Sequence, residues 1–414
     1  MLTYRELFHT PEFTPLFLIS AGHTAAQTMS GLALGTMVFE QTNSPLLSSL
    51  AMFGPALAQL VGATTFLSGA DRLPPRAAMT GLTLLFGLGT AIQGVPGLPV
   101  WAVFVVLLAL GTLGSVYGGM RYGLLNEILT SKGYLLGRSV FNMSVGMMQI
   151  GGFVIGGVLL TVLSPPGTLY LAAVVYLSTA MVTRFGLTRR PSRAAGKPSV
   201  SDTWRNNARL WSSATRRCIY LALWIPNGLI VGVESLYLPY APRDAGTLFA
   251  CGALGMLAGD VIVGRFLPPG RRDRLVVPLC ALLAVPHLFF ALKPALPVAF
   301  ALVTLATFGY SSTLLLLDRL MATTPEELGG HALGLHSSGM LAMQGVGATL
   351  AGSLAELTSP TSAMAAMATA SLAVTVTLRP GLLRQQGGRP RPGEYEETLS
   401  AKPARQEARH TAPR

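Results

Sequence analysis

Inside stretches that are otherwise apolar stand His23, Gln27, Asn142, Gln149, Asn227, Glu234, Asp260, Tyr310, Asp318, His336 and Gln344. Carboxyl and imidazole groups in such positions can load and release protons or hold a cation, while amides and a phenol can hydrogen-bond a solute. Each is costly in hydrocarbon and must face a bundle interior or a wet cavity. Glu234 is the sharpest of the set, because it lies well inside its apolar stretch with no base near it in sequence. It is either a proton-carrying or cation-binding group, or a carboxyl hydrogen-bonded in a helix interface. Asp260 stands about a turn and a half before Arg265, a spacing that suggests an internal structural pair, and Asp318 directly precedes Arg319, which suggests local pairing. His23 and His336 are open to two readings, titration near neutral pH or hydrogen-bonded packing.

The elements that must position these groups are spans of about 20 mostly apolar residues. They fall at 15–39, 46–68, 77–95, 99–122, 139–163 and 168–187, then at 217–240, 246–267, 275–292, 295–317, 332–356 and 360–379. Hydrophobic residues make up 50% of the 414-residue chain and charged residues 12%, with a mean hydropathy of +0.51. No water-soluble core needs that much apolar surface, so it must face lipid. Of the 30 Lys and Arg residues, all but Arg243 and Lys293 fall in gaps on one side of the bilayer. Basic loops stay cytoplasmic, which makes this a many-pass inner-membrane protein with both ends in the cytoplasm.

The formal charge of +12 does not indicate nucleic acid, because the basic residues are scattered over short loops and fit lipid contact better. Cys218, Cys251 and Cys280 lie in spans without a CxxC spacing, so neither a disulfide framework nor a metal site is expected. No G-x-x-x-x-G-K-[ST], H-E-x-x-H or G-x-S-x-G motif occurs, which leaves ATP hydrolysis, peptidase and serine hydrolase chemistry without support. No cofactor is expected, and the chain is not read as an enzyme. The first span is too long for the apolar core of a signal peptide and is read as a retained helix.

Residues 1–188 and 217–380 form two six-span units, joined by a basic linker at 189–216 with an amphipathic stretch around Trp204 to Trp211. Residues 381–414 are polar and rich in Pro and Arg, as in a disordered tail. The units also resemble each other. Leu73-Pro74-Pro75 after the second span recurs as Leu267-Pro268-Pro269 after the eighth. Met148-Gln149-x-x-Gly152-x-x-x-x-Gly157 recurs at nearly the same offset as Met343-Gln344-x-x-Gly347-x-x-x-x-Gly352. Duplication of a six-helix unit in parallel orientation explains both, and this is the build of one large class of transporters.

Three local motifs resemble the major facilitator superfamily. Asp71-Arg72-Leu73-Pro74-Pro75-Arg76 is similar to its G-x-x-x-D-R-x-G-R-R/K loop, with Leu67 at the first Gly and Pro74 and Pro75 at the Gly-Arg pair. The resemblance implies that Asp71, Arg72 and Arg76 latch the cytoplasmic gate. The run Arg121-Tyr122-Gly123-Leu124-Leu125-Asn126-Glu127-Ile128 resembles the R-x-x-L-x-P-E-L pattern of the drug and siderophore exporter branch, with Asn126 at the Pro. It implies gating or proton transfer for Arg121, with a snorkelling interfacial anchor as the other reading. Gly151-Gly152-Phe153-Val154-Ile155-Gly156-Gly157 resembles the antiporter motif G-P-x-x-G-G with Phe153 at the Pro. Gly152, Gly156 and Gly157 then either seal the path or serve plain helix packing.

The resemblance further implies an all-α integral membrane fold of twelve transmembrane helices in two six-helix bundles related by a parallel repeat. In the family, spans one, four, seven and ten line a central cavity. This makes His23, Gln27, Tyr117, Trp224, Asn227, Glu234, Tyr237 and Tyr310 the candidates to meet substrate and protons. The expected activity is alternating-access transport by a monomer, as proton-coupled efflux of a small amphipathic molecule. Uptake by symport is the alternative within the class, and a non-transporting receptor or enzyme the alternative outside it.

The charge asymmetry generates a topology test. In a background without native cysteines, single Cys labels near Asn43, Gly97, Gly167, Arg243 and Ser359 should react with an impermeant thiol reagent in intact cells. Labels near Arg76, Lys132, Lys197, Arg272 and Gly387 should be protected until the membrane is opened. External labelling near Lys197 would reverse the orientation.

Overall fold

A computed structural model of the chain describes residues 4–65, 73–129, 131–191, 200–325 and 328–384, and among them the secondary structure is helical throughout. A short α1 (Tyr4–His9) precedes α2 (Phe13–Thr42), α3 (Pro45–Thr65), α4 (Pro75–Gln93), α5 (Val100–Ile128), α6 (Ser131–Val162) and α7 (Pro165–Gly186). The linker carries α8 (Val200–Ser212). Then follow α9 (Ala214–Ser235), the single turn α10 (Tyr237–Tyr240), α11 (Ala245–Val261), α12 (Pro269–Leu288), α13 (Leu296–Phe308), α14 (Ser312–Ala322), α15 (Gly329–Leu357) and α16 (Pro360–Arg384). Spans seven and ten are each built from two pieces, α9–α10 and α13–α14. A π-helical turn, Ile262–Phe266, extends α11, and a 3-10 turn, Gly309–Ser311, breaks span ten.

Lipid offers the backbone no hydrogen bonds, so every crossing segment must satisfy its own, and helices do so. Eight helices among the described residues are long and apolar enough to cross a bilayer. The other four expected spans are α2, α4, α6 and α15, of 30, 19, 32 and 29 residues. They are long enough to cross, and their Ser, Thr, Gly, Gln and His content lowers their hydropathy. Proline and small polar residues set the ends. Ser164 caps α7 by accepting from the Gly167 N–H, with Pro165 and Pro166 opening the helix. Asn43 ends α2 in a left-handed conformation, φ 51°, and Pro45 opens α3 two residues later.

In the first half α2 packs on α3, α6 and α7, and α5 on α3 and α4. In the second half α9 packs on α15 and α16, and α13 on α11 and α12. The halves meet through α3 against α15 and α6 against α11. Two apolar cores each stay within one half, one around Phe13, Met79, Tyr117 and Phe141, the other around Ile219, Tyr220, Leu316 and Leu320. A third joins both, running from Leu32, Met52 and Phe53 to Tyr237, Leu248 and Phe249. It lies toward the end of the bundle that carries the loops at 43–44, 241–244 and 358–359, opposite the termini and the linker.

The linker helix α8 is fixed to the second half. Leu210 is fully buried there, and Trp211 stacks on Trp224 at 5.6 Å and on Tyr220 at 5.9 Å. Arg216 reaches back to the Leu210 and Arg209 carbonyls at the end of α8, at 3.0 and 2.9 Å, and to the Thr323 carbonyl at 2.9 Å. A cation on these helix-end carbonyls answers both their unpaired oxygens and the local negative dipole.

Between the halves, the Glu356 carboxylate accepts from the Ser44 hydroxyl and from the Leu46 N–H at 3.4 Å, at the start of α3. A carboxylate at a helix N-terminus contributes about 0.3–1 kcal/mol at an exposed site. The Glu356→Ala protein should therefore shift the closed-to-open ratio at this end by about twofold to fivefold. Spin labels replacing Asn43 and Ser359 should show a larger long-distance fraction by pulsed electron resonance. An unchanged distribution would mean that the contact does not bias the two states.

Candidate functional site

Helix packing brings the candidate residues of the first half into one cluster. His23 on α2 stacks on Tyr117 of α5 at 4.2 Å, with the edges of Phe86 and Tyr176 at 5.0 and 5.5 Å. His23 Nδ1 is buried without a hydrogen-bond partner among the described residues. One turn toward the linker end, Arg121 donates to the Ser20 hydroxyl at 3.0 Å and lies 4.9 Å from the Tyr122 ring centre. His23, Tyr117 and Arg121 thus form a continuous polar seam between α2 and α5. On its other side His23 joins Gln27, Ser30, Gln59, Thr90, Gln93 and Tyr176 around a cavity of about 70 Å³. That is room for about two waters, and the lining offers them partners.

In the second half the candidates divide. Trp224 is a packing residue in this conformation: it lies against Gly339, donates to the His336 carbonyl at 3.1 Å and carries Trp211 of the linker helix. Tyr237 is fully buried, and its hydroxyl pairs with His287 Nε2 at 3.0 Å, while His287 Nδ1 meets the Leu283 carbonyl at 3.1 Å. Asn227 is 5% exposed, and its side-chain amide faces the Tyr310 hydroxyl. Tyr310 stands beside it, at the 3-10 break of span ten, within electrostatic reach of both Glu234 and Asp260. Glu234 is half-buried near the loop end.

Two expected ion pairs are not formed. Asp260 makes no salt bridge among the described residues, and Arg265 is exposed. Five residues along a helix is nearly a turn and a half, which places the two side chains on different faces. Asp318 pairs with Arg272 at 3.7 Å rather than with its neighbour Arg319, whose guanidinium donates to the Leu382 carbonyl at 3.1 Å. Adjacent residues on a helix point in different directions.

The glycine motif of α6 lies at two helix crossings. A Cβ on Gly152 would meet the Thr28 side chain at 2.7 Å, and one on Gly156 would meet Met29 at 3.4 Å, so both press against α2. Gly157 faces the other half, where a Cβ would lie 2.6 Å from Gly246 Cα. One turn away Phe153 stacks on Phe249 of α11 at 4.7 Å with the rings 7° from parallel. Gln149, a further turn along the Phe153 face toward the linker end, is exposed. Of the gating candidates, Arg76 opens α4, whereas Asp71 and Arg72 lie outside the described residues.

Three groups escaped the sequence reading. His287 shows only as a histidine in an apolar span, and its pairing with Tyr237 is a contact between helices. Glu356 and Ser44 look like ordinary loop-end polar residues until the two halves are assembled.

Comparison with known proteins agrees with this architecture. The family model described as Major Facilitator Superfamily matches residues 16–318. The Multidrug efflux pump Tap of Mycolicibacterium fortuitum is 26% identical, over 83% of this chain and 89% of that protein. Among solved structures, a POT family transporter in complex with 5-aminolevulinic acid aligns with a TM-score of 0.70 at 11% identity, covering 90% of this chain and 96% of the other. The nucleoside transporter NupG aligns at 0.68 and 11% identity, over 89% and 99% of the two chains. A bacterial homologue of the human lysosomal transporter Spinster, inward-facing and unoccupied, aligns at 0.63 and 14% identity, over 90% and 95%. With a family match over most of its length and a helical bundle of the same fold, the chain belongs to the Major Facilitator Superfamily of membrane transporters.

Proposed function

We propose that the protein exports a small amphipathic molecule in exchange for protons, by alternating access of a site between residues 1–188 and 217–380. Similarity to a multidrug efflux pump over most of both chains is the observation that carries the direction of transport. The closed end of the bundle supports the mechanism. There Phe153 stacks on Phe249, Gly157 meets Gly246, and Glu356 holds the start of α3. If the basic segments are cytoplasmic, this end faces outward, in the plasma membrane with both termini inside, and the conformation is inward-facing. Turning outward requires these contacts to part and the opposite end to close, where the Asp71 loop is the candidate latch. Such a two-state equilibrium responds to whatever binds one state better, which here is substrate or proton.

Glu234 is the group we assign to proton exchange. It is half-buried, makes no ion pair among the described residues and stands close to Tyr237 and Tyr310. Without a cation to hold its charge, a carboxyl group in low dielectric exchanges protons as its access to water changes. Glu234→Gln keeps size and hydrogen bonding but removes titration. In proteoliposomes with an imposed pH gradient, concentrative transport of ethidium should be abolished, while downhill exchange of preloaded ethidium continues. Gradient-driven accumulation by Glu234→Gln with unchanged pH dependence would make the residue structural.

Asp71→Ala supplies a second test of the cycle. Loss of the latch should leave the protein in the membrane at normal levels while slowing transport, with the linker end open for more of the time. Wild-type transport by Asp71→Ala would reduce the loop to a topological signal.

A further inference from the structure

Of the 30 Lys and Arg residues, only Arg243 and Lys293 leave the basic side of the chain, and the fold brings these two to one place. Arg243 lies in the short loop before α11, and Lys293 follows the 3-10 turn Phe289–Leu292 that ends span nine. With Tyr240, Asp244 and Leu296 they line an open cleft of about 470 Å³ at the closed end of the bundle. The Tyr240 hydroxyl donates to the Pro294 carbonyl at 2.9 Å and so ties the two loops together. Its ring stands edge-on to the fully buried Phe290 at 5.2 Å, which fixes the tie to the helix core. Lys293 holds a left-handed backbone, φ 51°, where glycine is the usual residue. A Lys there accepts backbone strain and adds a cation to the cleft.

Arg243, Lys293 and Asp244 form no ion pair among the described residues. Two cations against one carboxylate leave a single positive charge, which a monoanion answers. Asp244 and Leu296 also stand where α11 and α13 begin, and neither helix start carries a side-chain cap. The partial positive charge of both helix ends therefore adds to that of the cations. Beside Lys293 the surface turns apolar. Phe289 and Leu292, three residues apart on a 3-10 turn, share one side of it and are 50% and 77% exposed. Fixed cations next to bare apolar side chains match a molecule that joins an anionic group to a hydrocarbon chain. A free anion would use only the cations.

We infer that this cleft binds the headgroup of an anionic phospholipid. Its phosphodiester lies on Arg243 and Lys293, and its acyl chains run along Phe289 and Leu292. A headgroup hydroxyl, as in phosphatidylglycerol, donates to Asp244. A zwitterionic headgroup such as choline restores the positive charge that its phosphodiester removes, and so leaves the cleft unanswered. The lipid belongs to the outer leaflet if the basic segments are cytoplasmic, as in the transport reading, but binding itself does not depend on orientation.

The test follows acetylation of Lys293 by succinimidyl acetate, read by peptide mass spectrometry on the full-length protein in nanodiscs. Nanodiscs carry the same lipid in both leaflets, so neither orientation nor direction of transport enters the result. A minor fraction of phosphatidylglycerol in phosphatidylcholine should slow the modification by about fivefold or more against phosphatidylcholine alone. Arg243→Gln should remove most of that protection, and inorganic phosphate added to phosphatidylcholine discs should give none. Arg243 and Lys293 are both exposed, so their substitution leaves the packed core untouched. Native mass spectrometry gives a second readout. The Arg243→Gln/Lys293→Gln protein should carry one phosphatidylglycerol fewer than wild type. Full protection in Arg243→Gln would reduce the effect to general surface charge, and equal protection by inorganic phosphate would make the cleft a free-anion site. Either result, or unchanged lipid retention by the double variant, would overturn the lipid site.

Discussion

The structure turns on how closely two helix backbones from different halves can approach. Gly157 and Gly246 leave no room for a side chain between α6 and α11, and that closeness lets Phe153 and Phe249 lie flat on each other one turn away. Helices in a bilayer gain no hydrophobic driving force from meeting, since lipid tails are as apolar as leucine. Their association rests on shape and on a few polar contacts, here Glu356 at the start of α3. An interface of this kind is tight enough to seal and cheap enough to part. A larger polar network would hold the halves in one state, and a looser one would leak.

The same economy explains the linker. Helix α8 is not a free tether, because Trp211, Leu210 and Arg216 attach it to spans seven and ten of the second half. His331 adds a contact from α15 to Asn207 at 2.7 Å. At the other end of the linker, Arg190 pairs with Glu12 at 3.0 Å and with Glu127 at 3.5 Å, all within the first half. Each half therefore holds its own end of the connection.

The spans, the fold class and the family were legible in the sequence because they rest on composition, charge segregation and local motifs, all of which survive in one dimension. Resemblance also placed His23 and Tyr117 on facing helices, where they stack. What was not legible depends on rotation about a helix axis or on partners far along the chain. Arg265 looked like a partner for Asp260, yet the helix turns it away. Tyr237 looked like a cavity residue, yet His287, fifty residues on, takes its hydroxyl into the core. Glu356 and Ser44, separated by more than three hundred residues, gave no sign of each other. Pairing of this kind is decided by the assembly of the two halves, and no local pattern encodes it.

The placement of Glu234 and Asp260, neither of which forms an ion pair among the described residues, bears on how export could be coupled. Glu234 stands near the closed end of the bundle, within reach of Tyr237, and Asp260 stands near the opposite end of α11. Both lie within electrostatic reach of Tyr310, although the two groups are separated along the bundle. In a transporter that exchanged a cationic solute for protons, a cation between the halves would lower the cost of an ionised Glu234, and a proton on Glu234 would remove one of the charges that attract the cation. Binding of one then opposes binding of the other without any shared ligand atom. That opposition is the thermodynamic content of exchange: the two ligands need not compete for one position, only for the same negative potential.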